Sequence, residues 1–92
     1  TILARRLRTP YGELDLLATD SEWLIAVEVK QRRSLRESAS CLTVRQSKRL
    51  MEAFEYILLT KPEWNRPNTR FDLIVVDLSG QARRIQDALR QF

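Results

Sequence analysis

Histidine is missing from this chain, and cysteine occurs once, at Cys41. The first absence removes Ser-His-Asp and Cys-His catalysis. The two together remove the usual zinc sites, which are built from imidazoles and thiolates. A metal here must be held by carboxylates, carbonyls and water, the donor set of magnesium, manganese or calcium. A lone cysteine offers no internal disulfide, so a reducing, cytoplasmic setting is expected and Cys41 reads as a small half-buried residue. No apolar run approaches the roughly 20 residues of a membrane span. The opening TILARRLRTP also lacks the long apolar region of a signal peptide. Repeats, low-complexity segments and linkers are absent too.

What is present suits one small domain with one core: 92 residues, of which 43% are hydrophobic. The net charge of +4 is modest but unevenly placed. Lys30, Arg32, Arg33, Arg36, Arg45, Lys48 and Arg49 follow one another with only Glu37 among them to oppose them. Such a block offers bidentate donors to phosphate oxygens and suggests a polyanionic partner. A solvated face that aids solubility is the alternative.

Along the chain, Ile2 to Arg8 interleaves apolar residues with arginine and ends near Pro10, which predicts an edge strand. Gly12 permits a tight turn before a second strand, Glu13 to Thr19. Asp20 and Ser21 are turn residues ahead of a third, Glu22 to Lys30. Three strands with short links predict an antiparallel meander. Arg32 to Leu42 has no clear period and reads as a loop. Thr43 is a candidate N-cap for an amphipathic helix that ends near Pro62, with Gln46, Ser47, Leu50, Met51, Phe54, Ile57 and Leu58 on its inner side. PEWNRPN reads as a loop. RFDLIVVDL, Arg70 to Leu78, is a β-branched run suited to a central strand, broken by Ser79 and Gly80. The tail fits a helix through Ile85, Ala88, Leu89 and Phe92, or a strand through Ile85, Asp87 and Leu89. The predicted fold class is α/β, a mixed sheet with a parallel crossover through the helix.

Four polar residues stand inside the predicted strands: Glu13, Asp15, Glu28 and Lys30. Strand alternation groups Glu13 and Asp15 with Leu17, and Glu28 and Lys30 with Leu24 and Ala26. A hairpin about Asp20 and Ser21 brings Asp15 and Glu28 close to opposite each other. Facing like charges are unfavourable, more so when half-buried, and a divalent cation between them would offset the repulsion. The backbone carbonyl near Val29 could add an oxygen ligand. Lys30 would stand beside the ion, able to orient water or neutralise charge on a phosphate. The bland alternative is an exposed sheet face with Lys30 paired to one of the acids, and a Glu-x-Lys triplet alone is a weak signal. Asp72 is expected to pair with Arg70 or another basic residue. Gln46 lies on the helix stripe that faces the sheet, where the Lys30 end of the third strand or the backbone of the preceding loop can partner its amide.

Four segments, ILARRLRTPYGELDLLATD, LIAVEVKQRRS, LTVRQSKRL and RFDLIVVDL, carry a resemblance that spans nearly the whole chain. It resembles the YraN-type family of small bacterial proteins and, more remotely, Holliday-junction resolvases and the PD-(D/E)XK nuclease superfamily. The resemblance implies a restriction-endonuclease-like core. It also implies a metal-binding aspartate at Asp15, an acidic ligand at Glu28, the lysine at Lys30, and Gly12 with Glu13 in the same signature, Glu13 as an auxiliary acid. Members usually begin with a helix carrying a glutamate, and this chain opens directly at the strand, so either an N-terminal helix is missing from this sequence or the site lacks one acid. The implied activity is Mg2+- or Mn2+-dependent endonuclease cleavage of DNA, on branched or damaged structures. A binding module of the same fold that no longer cleaves and a protein-interaction subunit are the alternatives. DNA is the expected partner, a membrane is not, and a homodimer is compatible with the reading.

Overall fold

The computed structural model describes residues 1–40 and 42–91, with the side chains of residues 38–40, 90 and 91 outside that description. The expectations for Cys41 and Phe92 therefore lie outside the described residues. Strands β1 (Ile2–Thr9), β2 (Gly12–Thr19) and β3 (Trp23–Gln31) form the predicted meander. Helix α1 (Val44–Thr60) returns the chain to β4 (Asn68–Val76), which pairs with β3 in parallel, and β5 (Ala82–Ile85) adds an antiparallel edge. The sheet order is β1-β2-β3-β4-β5. This is the expected α/β mixed sheet, and among the described residues no helix is long and apolar enough to cross a membrane.

Local chemistry explains the boundaries. The Asp20 carboxylate accepts the Glu22 and Trp23 N–H groups, both at 2.8 Å, which closes the β2–β3 turn and holds its pKa below the ordinary carboxylate value. At the start of α1 the Thr43 hydroxyl accepts the Gln46 N–H at 3.1 Å, while the Gln46 side-chain oxygen accepts the Thr43 N–H at 3.0 Å. That reciprocal pair satisfies two donors the first helical turn would leave unbonded. The helix stops where Lys61 N–H bonds the Ile57 carbonyl, one residue before Pro62.

Several boundaries differ from the sequence reading. The basic loop contains a 3-10 helix at Leu35–Ser40, and PEWNRPN contains another at Pro62–Trp64. Strand β4 runs Asn68–Val76 rather than to Leu78, because Asp77 leaves the ladder to bond Ser79 and Gln81 N–H through its carboxylate. The tail matches neither form whole: β5 ends at Ile85, before Asp87 at φ +56°, and a 3-10 helix at Ala88–Gln91 then buries Ala88 and Leu89.

The core lies between α1 and one face of the sheet. Leu17, Leu24, Ala26, Phe71, Leu73 and Val75 meet Leu50, Ala53, Phe54 and Ile57 of the helix. Phe54 and Phe71 pack edge to face with centroids 6.4 Å apart, and burying each ring contributes on the order of 2 kcal/mol. Ala53 takes the inward place expected of Met51, which is 45% exposed. The helix turns so that small side chains, Ser47 and Ala53, face the sheet and let it approach.

The opposite face of the sheet holds a separate charged pair. Arg70 Nε and a terminal guanidinium nitrogen contact the two carboxylate oxygens of Asp72 at 2.8 and 3.1 Å, as the sequence suggested. Asp72 is 2% exposed, and the Asp87 N–H donates to it at 3.0 Å. The Arg70 guanidinium also lies 5.1 Å from the centre of the Trp23 ring. Asp72→Ala strands a half-buried arginine and the Asp87 N–H, so unfolding free energy should fall by about 3 kcal/mol. Urea denaturation reads this as a lower midpoint; an unchanged midpoint would show that the pair adds no stability.

Candidate active site

Glu28 follows from the face on which β3 is buried. The parallel register places it beside Leu73, and alternation puts it with Leu24 and Ala26 under the helix. A carboxylate has thus been carried into an apolar face, where it is 8% exposed. Lys30, two residues on, reaches back with Nζ 3.2 Å from Glu28 Oε2. The other oxygen, Oε1, is buried with no hydrogen-bond partner among the described residues.

Asp15 approaches from β2. The β2–β3 ladder runs from Thr19–Leu24 to Leu16–Val27, and its next step would set Asp15 against Glu28. At that point the Asp15 carboxylate takes the Val29 N–H at 2.8 Å. A strand residue's N–H and C=O leave on the same side, so the Val29 carbonyl also faces the β2 edge. Loss of the regular ladder shifts the alternation that the sequence predicted for β2: Leu14 and Leu17 are both buried, at 1% and 0% exposure.

The acidity of Glu28 reports this environment. Burial comes first among the causes that raise its pKa to about 7, and Asp15 adds to the rise by hydrogen bonding and by charge. Lys30 opposes both. With both acids ionised Oε1 has no donor, and a bond between Glu28 and Asp15 requires a proton on one of them. The pair therefore wants either a proton or a cation.

A cavity of about 260 Å³ opens over Glu28 and Lys30. The β1–β2 turn supplies Tyr11, Gly12 and Glu13, helix α1 supplies Gln46 and Arg49, and Leu50 with Ala53 close the apolar side. Gly12 has φ +134°, a conformation that favours glycine, and a Cβ there would lie 3.5 Å from Arg49 Cδ. The turn thus seats the arginine stem. Arg49 has no ion-pair partner among the described residues.

Of the residues the sequence singled out, Glu13, Glu28, Lys30, Gln46 and Arg49 line this one cavity. Asp15 does not line it and meets the site through Glu28 and the Val29 N–H. Glu13 is 3.4 Å from Arg6 Nε. The Gln46 side-chain oxygen is engaged by Thr43, the backbone partner that sequence reasoning had left open. Arg32, Arg33, Arg36, Arg45 and Lys48 stand outside the cavity, with the Arg32 guanidinium on the Gln31 carbonyl at 2.7 Å. Tyr11, 45% exposed at the rim and edge-on to Tyr56, was not singled out. Its adjacency to Gly12 was the available signal.

Whether these residues suit a divalent cation can be judged from Glu28 itself. An orphaned buried oxygen, a second carboxylate beside it and a carbonyl on the same strand edge are hard oxygen donors of the kind magnesium and manganese take. Among the described residues no group of three or more His, Cys, Asp or Glu side chains is placed to hold an ion. The donor set fits a cation held by two carboxylates and completed by carbonyl and water.

A family model described as "Uncharacterised protein family UPF0102" matches residues 1–76. The chain belongs to this family. It is 53% identical over 89 residues to a UPF0102 protein of Granulibacter bethesdensis, covering 97% of this chain and 56% of that protein. It is 42% identical to one from Acidiphilium cryptum, over 97% of this chain and 69% of the relative. For one from Azorhizobium caulinodans the figures are 46%, 95% and 66%. The chain thus spans between 56% and 69% of the length of these relatives. Membership in UPF0102 agrees with the YraN-type resemblance read from the sequence, and the matched segment contains Asp15, Glu28 and Lys30.

The raised pKa of Glu28 makes stability depend on pH with a definite sign. Folded Glu28 titrates near 7 against 4.5 for the free group, so between those values the folded state holds a proton the unfolded chain has lost. Its contribution is fully present below pH 4.5 and declines until pH 7, a loss on the order of 3 kcal/mol. In EDTA, Glu28→Gln should remove that decline and be more stable than wild type at pH 8. Urea titrations from pH 5 to 8 in which the two proteins show the same pH slope would contradict it.

Proposed function

We infer that this chain is the core of a Mg2+- or Mn2+-dependent endonuclease that hydrolyses DNA phosphodiester bonds, on branched or damaged structures. The observation that carries the reading is the Glu28 carboxylate, buried with one oxygen unpartnered beside Asp15 and the other on Lys30 at the floor of a cavity. An apolar face is an expensive place for a carboxylate unless it holds something there.

Asp15 and Glu28 would hold the cation, with the Val29 carbonyl and water completing its shell. When bound, such an ion polarises a phosphoryl oxygen and lowers the pKa of water. Lys30 opposes the rise in the Glu28 pKa by its charge and presents an ammonium at the cavity, where negative charge on a phosphate would develop. Arg49, without an acidic partner among the described residues and beside Gly12, would take a phosphate oxygen. Glu13 stands at the same opening as an auxiliary acid, restrained by Arg6. Arg32, Arg33, Arg36, Arg45 and Lys48 would add affinity through the DNA backbone without reading sequence.

A second reading, binding without cleavage, is favoured by one observation: two carboxylates rather than three meet among the described residues. The two separate on Lys30→Met, which keeps the length of the stem and deletes the charge. Assays at pH 8, where Glu28 is ionised, would offer linear, nicked, flap and four-way-junction DNA with magnesium, manganese or EDTA. In a nuclease, Lys30→Met should lower cleavage by about a hundredfold or more with at most a few-fold change in affinity. Wild-type protein, tested also with the full length of its relatives, that binds these DNAs and cleaves none would leave the binding reading in place.

A further inference from the structure

We propose that the polyanion path at this site continues across the C-terminal end of the sheet through Arg83, a residue beyond the segment matched by the family model. The inference rests on the nucleic-acid reading above and adds the direction in which the strand of phosphates runs.

Register places the residue. Lys30 pairs with Val75 across the parallel β3–β4 ladder, and Val75 pairs with Arg83 across β4–β5. Directly paired residues share a face, so Lys30, Val75 and Arg83 form one row on the face that α1 covers. Val75 is fully buried at the middle of the row, while Arg83 is exposed beyond it. Its neighbour two residues on, Ile85, pairs with Leu73 and packs against the core, which fixes the face independently. At about 4.8 Å per strand, Arg83 starts roughly 10 Å from Lys30, within reach of the next phosphates of a bound strand.

The charge around the cavity favours the β5 side over the helix side. On the helix side a shallow depression of about 170 Å³ is lined by Tyr11, Tyr56 and Leu59 together with Glu52 and Glu55, and it offers a polyanion no cation. On the sheet side the chain leaves Lys30 into Arg32 and Arg33, and the 3-10 helix that bears Arg36 packs against β4 and β5. Arginines therefore flank the cavity on the β5 side, while Glu52 and Glu55 turn a polyanion away from the helix side. Arg83 has no acidic partner among the described residues.

Arg84 provides an internal control. It pairs with Ile74 and faces the other side of the sheet, so it contributes the same charge from the same strand to the wrong face. Fluorescence anisotropy on a labelled duplex across a salt series, in EDTA, compares Arg83→Ala, Arg83→Lys and Arg84→Ala with wild type. Arg83→Ala should weaken binding several-fold and lower the log-log salt slope by about 0.9, one phosphate contact. Arg83→Lys should restore the slope, and Arg84→Ala should match wild type. Equal losses in Arg83→Ala and Arg84→Ala, or none in Arg83→Ala, would overturn the path while leaving the nuclease reading intact. Wild type that binds but cleaves nothing would remove cleavage and leave the path, and wild type that binds no DNA would remove both.

Discussion

The whole arrangement turns on placing a carboxylate in the buried face of a sheet. Glu28 sits in the row that also supplies Leu24 and Ala26 to the core, so the helix that buries those residues desolvates it too. Desolvation makes an unpartnered oxygen costly: a proton satisfies it at low pH, and once the carboxylate ionises that oxygen is left without a partner. Lys30 compensates one oxygen only. An arrangement that neutralised both would be more stable and chemically inert.

The surrounding fold keeps that carboxylate in place by local means. The capping pair of Thr43 and Gln46 sets where α1 begins, and hence which of its side chains look down on β3. Gly12 supplies the φ of +134° that the β1–β2 turn needs, and that turn stands beside the Arg49 stem. The Asp20 turn fixes the β2–β3 register, and the register delivers Asp15 to the edge of Val29. Each is a short-range interaction, yet together they position groups separated by more than thirty residues in sequence.

Short-range signals were therefore the legible ones. The helix, its cap, the meander, the pairing of Asp72 with Arg70 and the approach of Asp15 to Glu28 could all be read from spacing and turn chemistry. What could not be read depended on how elements dock. The exposure of Met51, the inward place of Ala53 and the burial of Leu14 beside Leu17 follow from the rotation of α1 and the end of a ladder. The raised pKa of Glu28 needs protein packed above it, which only the docking of α1 on this face of the sheet creates. Arg83 was invisible while the tail fitted two conformations equally.

The two free edges of the sheet share one chemistry. Strand β1 exposes Arg5, Arg6 and Arg8, with Arg6 at φ +51° and a register shift between Ile2 and Ala4, and β5 is four residues long with Arg83 and Arg84 exposed. Unpaired edges invite another chain to add a strand, and like charge with irregular backbone discourages it. The protection is electrostatic and therefore screened: the distance over which one edge repels another shrinks from about 30 Å at 0.01 M salt to 3 Å at 1 M. Ionic strength consequently governs how well the molecule resists edge-to-edge self-association.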